Sequence, residues 1–295
     1  MNKKKVLSIH KKPSAHWVGD GFPVRTIFSA FGDPASRFSP FLLLDYAGPK
    51  EFPPSNTRRG VDEHPHRGFE TVTIVYQGEL EHRDSGGNQG KIGPSDVQWM
   101  TAASGVVHEE KHAREFTQRG GTLELIQLWV NLPAEFKMSA PRYQELLGRQ
   151  IPLVRVADGG GTARVIAGEF QGQKGPARTF TPVNLWDVRL KAGHRLDLTL
   201  PGGYTTALFI LRAKVRLSSS ETAGEVDLVQ FERDGEQITM DAEEDSSILV
   251  LNGEPIDEPI ASYGPFVMNT QEEIRQAVDD YRSGRMGRLA SLAHR

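Results

Sequence analysis

Four residues that could bind a metal ion fall in two short segments of the chain. "HPHRGFETV" begins with His64 and His66, and "GVVHEE" carries His108 and Glu110. Side chains two positions apart on a β-strand lie on the same face, so each pair would present both donors together. If the two strands are neighbours, three imidazoles and one carboxylate converge, a donor set suited to Fe(II), Mn(II), Ni(II), Cu(II) or Zn(II). The same alternation favours Glu110 over Glu109, which faces the other way.

The composition narrows the classes of function. The chain has 295 residues, no cysteine and a formal net charge of −3. Without cysteine there is no disulfide, thiolate metal site or cysteine nucleophile. A charge this small and mixed argues against a nucleic-acid or acidic-membrane partner. No stretch approaches the roughly 18 apolar residues of a membrane span, and the apolar run at residues 6–9 is too short for a signal-peptide core. We therefore expect a cytoplasmic protein without a membrane partner or a direct nucleic-acid partner.

The elements that must position the four donors are predicted to be β-strands. Short runs rich in Val, Ile, Leu, Thr and Phe, such as "FETVTIVYQG", "TLELIQLWVNLP" and "SSILVLNG", are separated by Gly and Pro. This spacing predicts an all-β sandwich or barrel. Because a single core stops growing near roughly 250–300 residues, we expect two domains. The polar segment "AEFKMSAPRYQELLGRQ" predicts a boundary near residue 140, which gives domains 1–140 and 141–295.

One long helix is predicted at the C-terminus, within the second domain. "NTQEEIRQAVDDYRSGRMG" offers Asn269 or Thr270 as N-cap and places Ile274, Ala277 and Tyr281 along one face.

The two halves of the chain are related by a weak internal repeat. Residues 67–80 align with residues 202–215, and the alignment places Thr199 and Pro201 where the first half has its histidine pair. It also places Thr205 opposite Glu70, and the segment matched to "GVVHEE" reads "DSSILVL". We therefore predict that the second domain binds no metal.

Two motifs resemble those of the cupin superfamily. The spacing His64-x-His66-x3-Glu70-x7-Gly78 is similar to the first cupin motif, and Gly105-x2-His108 is similar to the second. The strings "DVQWMTAASGVVHEE", "IQLWVNLP" and "YGPFVMNTQEEIRQAVDDY" resemble the pirin family, over nearly the whole chain. Pirins are bicupins with the metal in the N-terminal barrel. The resemblance implies two tandem cupin barrels (jelly-roll, or double-stranded β-helix) and a C-terminal α-helix.

The resemblance also implies a site and a function. It assigns the metal ligands to His64, His66, His108 and Glu110, and the metal to Fe(II), with Mn, Ni, Cu, Co and Zn as alternatives. It implies a quercetin 2,3-dioxygenase, in which Glu110 would be a ligand or the base that accepts the proton of a flavonol hydroxyl, and O2 would be the second substrate. The apolar walls that a flat flavonol needs are predicted at Phe41, Phe69, Trp99 and Met100.

Two other functions remain open. The first is a metal- or redox-dependent regulatory protein that binds a transcription factor or a metabolic enzyme. The second is a cupin isomerase or hydrolase of a small metabolite. Family members are often monomeric, so we expect a monomer.

Three further side chains are less clear from the sequence. The glutamate of the first motif is itself a ligand in many cupins; here we interpret Glu70 as a supporting residue, bonded to an imidazole N–H or to an arginine such as Arg67. His82 is predicted at the surface or a pocket rim, and His112 in solvent. Because the ligand histidines must be neutral to coordinate, metal affinity is expected to fall below roughly pH 6.

Overall fold

The structure, a computed structural model, describes residues 2–31, 37–156, 159–217 and 221–290. The first twelve strands are β1 (Val6–His10), β2 (His16–Val18), β3 (Phe22–Ser29), β4 (Phe41–Phe52), β5 (Gly60–His66), β6 (Phe69–Gln77), β7 (Leu80–Asp84), β8 (Gln89–Ile92), β9 (Val97–Thr101), β10 (Val106–His112), β11 (Gly121–Asn131) and β12 (Arg142–Leu146). The next twelve are β13 (Leu153–Arg155), β14 (Gly161–Ala167), β15 (Glu169–Phe170), β16 (Gln173–Lys174), β17 (Val183–Leu190), β18 (Arg195–Thr199), β19 (Thr205–Arg212), β20 (Val215–Leu217), β21 (Thr222–Ala223), β22 (Leu228–Phe231), β23 (Gln237–Ala242) and β24 (Ser246–Gly253). A hairpin of β25 (Ala261–Tyr263) and β26 (Phe266–Met268) follows. The helices are α1 (Arg114–Arg119) and α2 (Gln271–Arg282), besides two short 3-10 turns, Ala134–Phe136 and Gly148–Gln150.

The chain folds into two compact units that exchange their terminal segments. The N-terminal unit comprises Ser14–Ser36, Phe41–Gly148 and Ile256–Arg295, and the C-terminal unit comprises Met1–Pro13, Arg37–Pro40 and Arg149–Pro255. These ranges differ from the contiguous domains 1–140 and 141–295 at both ends of the chain. The reason is strand pairing and packing: β1 pairs with β22, β26 forms a bridge with Arg67, and α2 packs in one cluster with Val107. The segment predicted as a linker contributes β12, which pairs with β9.

The N-terminal unit consists of two antiparallel sheets. The larger has the strand order β12-β9-β6-β11-β4-β3-β2, and the smaller has the order β5-β10-β7-β8. Strands β6 and β9 are buried along almost their whole length, because their Val, Ile and aromatic side chains fill the interior. The smaller sheet contains both predicted metal-binding segments as neighbouring strands.

The C-terminal unit repeats this architecture. Its sheets have the orders β1-β22-β19-β24-β17-β14-β13 and β18-β23-β20-β21. Strands β6 and β19, which carry the aligned residues, both occupy the third position of their seven-stranded sheet. However, the counterpart of β10 is β23, "QITMDA", whereas the predicted match "DSSILVL" falls on β24.

Helix α2 has the predicted start. Thr270 is the N-cap and forms a capping box with Glu273. Of the three residues placed along one face, Ile274 and Ala277 are buried and Tyr281 is 39% exposed, and Asp280 is buried where it forms an ion pair with Arg67. No helix within the described ranges is long and apolar enough to span a membrane.

Candidate metal site

Three imidazoles meet at the β5–β10 pair. In the antiparallel register, His64 lies directly opposite His108, and His66 lies opposite Val106. The ring centroids of His64 and His108 are 4.2 Å apart, and that of His66 is 4.9 Å from each. One nitrogen from each ring lies within 4.8 Å of the others. The three histidines that the alternation placed on one face are thus close together in the structure.

The protonation and hydrogen bonding of these three rings suit metal coordination. His64 Nδ1 is 2.7 Å from the carbonyl oxygen of Asp62, which can only accept, so its proton lies on Nδ1 and Nε2 carries the free lone pair. Among the described residues, His66 Nδ1 and His108 Nε2 are buried without a hydrogen-bond partner. Burial lowers the pKa of both His66 and His108 well below 6.5, which keeps the imidazoles neutral. Unpartnered, neutral nitrogens in one cluster fit a divalent transition metal.

Glu110 lies beside this cluster rather than inside it. It forms an overlapping group with His82 and His108, again within 4.8 Å. Its Oε1 accepts from Gln98 Nε2 at 3.1 Å and Thr73 Oγ1 at 3.3 Å, and its Oε2 accepts from Gln127 Nε2 at 3.0 Å. A carboxylate has about four lone-pair positions, so these donors leave one for a further partner.

Glu109 faces the other way, as alternation requires. Its Oε1 accepts from Arg83 Nε at 2.5 Å.

A row of polar side chains crosses the larger sheet and supports Glu110. Gln98, Thr73, Gln127, Asp45 and Thr26 are consecutive cross-strand partners on β9, β6, β11, β4 and β3. Thr26 donates to Asp45 at 2.6 Å, and burial raises the pKa of Asp45. Sequence reasoning missed this row. The available signal was one polar residue within each apolar strand, for example the glutamine in "LELIQLWVN".

The cluster opens on a mostly apolar cavity of about 170 Å³. His64, His66, Glu110, Thr73, Gln127 and Asp45 are its polar lining. Its apolar lining consists of Val18, Phe22, Val24, Val61, Leu80, Leu125 and Trp129.

The predicted apolar walls were wrong. Phe41, Phe69, Trp99 and Met100 expose 1% or less and are core residues outside the cavity lining. For Trp99 the reason is alternation: its neighbour Gln98 faces Glu110, so the indole points to the opposite face.

Comparison with known proteins identifies the family. The family model described as Pirin matches residues 21–130, and that of the pirin C-terminal cupin domain matches residues 185–287. A Pseudomonas aeruginosa protein that carries the provisional name quercetin 2,3-dioxygenase is 55% identical, over 96% of this chain and 98% of its own. The chain belongs to the pirin family.

Other pirin relatives extend the comparison. A crystal structure of quercetin 2,3-dioxygenase from Acinetobacter baumannii superimposes with a TM-score of 0.94 at 46% identity, covering 98% of this chain and all of that one. Human pirin is 35% identical over 97% of this chain and 94% of its own. The predicted fold, two tandem cupin barrels with a C-terminal helix, is thus confirmed.

The C-terminal segment holds the loop that follows His66. Arg67 is buried, and its Nη1 lies 2.8 Å from Asp280 Oδ2 on α2, while its Nε donates to Ser104 O at 2.7 Å. Gly68 has φ +88°, and a Cβ there would lie 1.9 Å from Val267 O, so only glycine fits. The end of this pirin chain therefore fixes the backbone next to a candidate ligand.

Three side chains differ from their predicted environments. Glu70 is buried, accepts from Thr101 Oγ1 at 2.7 Å and lies 3.7 Å from Arg142 Nη2, so its arginine partner is Arg142 and not Arg67, which is bound to Asp280. His112 is 2% exposed, with Nε2 3.0 Å from Gly21 O, and His82 is 4% exposed. Both histidines were predicted at or near the surface. Alternation explains the difference, because His82 lies on the inward face of β7 and His112 on the inward face of β10.

Proposed function

We propose that this chain is a metal-dependent dioxygenase of the quercetin 2,3-dioxygenase type. Its substrates would be a flavonol and O2. The observation that carries the proposal is a cluster of three imidazoles, two buried and that of His64 half-buried, beside a carboxylate at the edge of a mostly apolar cavity. The names of the Pseudomonas and Acinetobacter relatives support the same reaction class.

The ligands we propose are His64, His66, His108 and Glu110. Fe(II) is the first choice from the family resemblance, and Mn, Ni, Cu, Co or Zn would suit the same donors. When bound, the metal would supply Lewis-acid and redox chemistry for the reaction of the flavonol with O2.

The residues of the chain would bind the flavonol and move its proton. Since an apolar cavity of about 150 Å³ holds benzene, a cavity of about 170 Å³ encloses roughly one aromatic ring, and the other rings would extend through its opening. Glu110 has one lone pair left, which would bind the metal or, when Glu110 is released from the metal, accept the hydroxyl proton. Asp45, on the cavity wall, would accept a hydrogen bond from a ring hydroxyl.

Oxygen uptake tests the proposal. Metal-free protein would be reconstituted with each of the six metals and mixed with quercetin, while O2 consumption and carbon monoxide release are measured. We expect turnover with at least one metal and its loss in His66→Ala. His112→Phe, a change at another buried histidine away from the cluster, is the matched control and should retain turnover.

Lack of oxygen uptake with every metal would refute the dioxygenase proposal. Stoichiometric metal binding without turnover would support the regulatory role, in which a protein partner recognises the metal-loaded form.

We also propose that the C-terminal unit holds no metal. On β18, Thr199 stands at the position of His64, and its cross-strand partner on β23 is Gln237. Both groups of potential ligands in the described part of the chain lie in the N-terminal unit. Elemental analysis should give one metal per chain.

A further inference from the structure

We propose that His82 is a positioning residue for the metal site. It would hold His108 in the tautomer that leaves Nε2 free, through a chain that runs from Asp84 to His82 to His108. This inference rests on the proposed metal site, but its central observation, the tautomer of His108, exists in the metal-free protein.

The chain of contacts assigns each proton. His82 Nε2 lies 3.2 Å from Asp84 Oδ2, and because a carboxylate accepts, the proton of His82 lies on Nε2. The other nitrogen, Nδ1, then carries a lone pair, and His108 Nδ1 lies 3.4 Å from it. His108 would therefore donate through Nδ1, sharing this lone pair with Gln98 Nε2 at the same distance of 3.4 Å, and its own Nε2 remains unprotonated.

The environment of His108 agrees with this assignment. Its Nε2 is buried and has no hydrogen-bond partner among the described residues, and its ring faces those of His64 and His66. Metal-binding histidines commonly donate their second ring nitrogen to a carboxylate or a carbonyl, which fixes the ring and the tautomer. Here the imidazole of His82 lies between the proposed ligand His108 and the carboxylate of Asp84.

The register of the sheet builds this chain. On β10 and β7, His108 lies directly opposite Asp84, and Glu110 lies opposite His82. Asp84 is held in turn by three groups of its own turn: Oδ1 accepts from the backbone N–H of Gly86 and Asn88, and Oδ2 accepts from Asn88 Nδ2 at 2.9 Å. The ring of His82 stacks on Tyr143, with centroids 4.9 Å apart and planes 18° apart. The side chains of Asp84 and His82 are therefore held in place in the metal-free protein.

A second ion at His82, His108 and Glu110 is the competing interpretation. The amide of Gln98 argues against it, because its Nε2 lies 3.4 Å from His82 Nδ1 and donates to Glu110 Oε1 at 3.1 Å. The side-chain amide of Gln98 thus lies between His82 and Glu110, where a second ion would have to bind.

Nitrogen NMR of the histidine rings tests the proposal in the metal-free protein. Long-range ¹H–¹⁵N correlations distinguish the two neutral tautomers, and we expect His108 to carry its proton on Nδ1. His82→Phe keeps the stacking on Tyr143 but removes the acceptor, so His108 should shift to the Nε2–H form or to a mixture. His82→Asn places an amide oxygen near His108 Nδ1 as a new acceptor and should restore the wild-type tautomer of His108.

Metal affinity is the second measurement. Calorimetric titration with Co(II) should show a loss of roughly 10–100-fold in His82→Phe, recovery to within a few-fold in His82→Asn, and no change in His112→Phe.

An Nε2–H tautomer of His108 in the wild type would overturn the proposal, as would an unchanged tautomer and affinity in His82→Phe. Affinity lost equally in both His82 variants, with the tautomer unchanged, would make His82 a ligand and would also overturn it. If the wild type binds no metal yet shows the expected tautomers, the proposed metal site fails while the hydrogen-bond chain stands.

Discussion

Replacing Asp280 by Asn tests whether α2 fixes the loop after His66. Asn has nearly the same shape, so the change removes the charge and turns one of two accepting oxygens into an N–H donor, although Oδ1 accepts from Gln276 and Arg285 and Oδ2 from Arg67. In the wild type, Arg67 Nη1 lies 2.8 Å from Asp280 Oδ2, and the two side chains expose only 4% and 12% of their surface. The variant leaves the buried guanidinium of Arg67 without its anion.

The expected cost follows from this burial. Removing one partner of a fully buried ion pair costs about 3–5 kcal/mol. Asp280 retains some contact with water and also binds Arg285, so we expect about 2–4 kcal/mol. For a domain of this size, that corresponds to a drop in Tm on the order of 5–10 °C.

The same helix supplies a matched control. Glu272 forms an ion pair with Arg275, but these side chains are 78% and 69% exposed. Exposed pairs contribute about 0–1 kcal/mol, so Glu272→Gln should shift the free energy of unfolding by less than about 1 kcal/mol. Urea unfolding of metal-free protein compares the two variants. Equal losses of stability in Asp280→Asn and Glu272→Gln would refute the reasoning.

Two further predictions concern pH. Burial raises the pKa of Glu70 to about 7 from 4.5, so the folded protein retains a proton that the unfolded chain releases, and stability falls as pH rises through this window. Glu70→Gln should therefore stabilise the protein at pH 8, by up to about 3 kcal/mol, but not at pH 4.5; an equal gain at both pH values in urea unfolding would contradict this. Because burial lowers the pKa of His66 and His108, protons compete with a metal only in acid. Metal-induced thermal stabilisation should persist at pH 6.5 and disappear in stronger acid, and a midpoint of this loss above pH 7 would count against these ligands.

The sequence was sufficient for the histidine cluster. Period-two alternation selected the inward side chains of β5 and β10, and the antiparallel register placed His64 opposite His108. The polar row was not predictable, because it depends on the register of five strands that are distant in the sequence.

The burial of His82 had a local signal that was not used. In "LEHRD", positions 80, 82 and 84 alternate as buried residues. What the sequence lacked was the neighbouring strand that makes this face an interior. The exchange of terminal segments had no compositional signal, since α2 is an ordinary amphipathic helix and its contacts Arg67 and Val107 lie far away in the chain.

The exchanged termini have a consequence for biosynthesis. Val107 packs in one cluster with Phe266, Ile274 and Met286, and Arg67 finds its anion on α2. The ribosome makes these residues after all the candidate ligands, so a nascent chain that already contains the ligands still lacks the segment that holds the turn beside His66. The site would mature only once α2 has been synthesised, and a gene divided near residue 148 would encode neither unit completely.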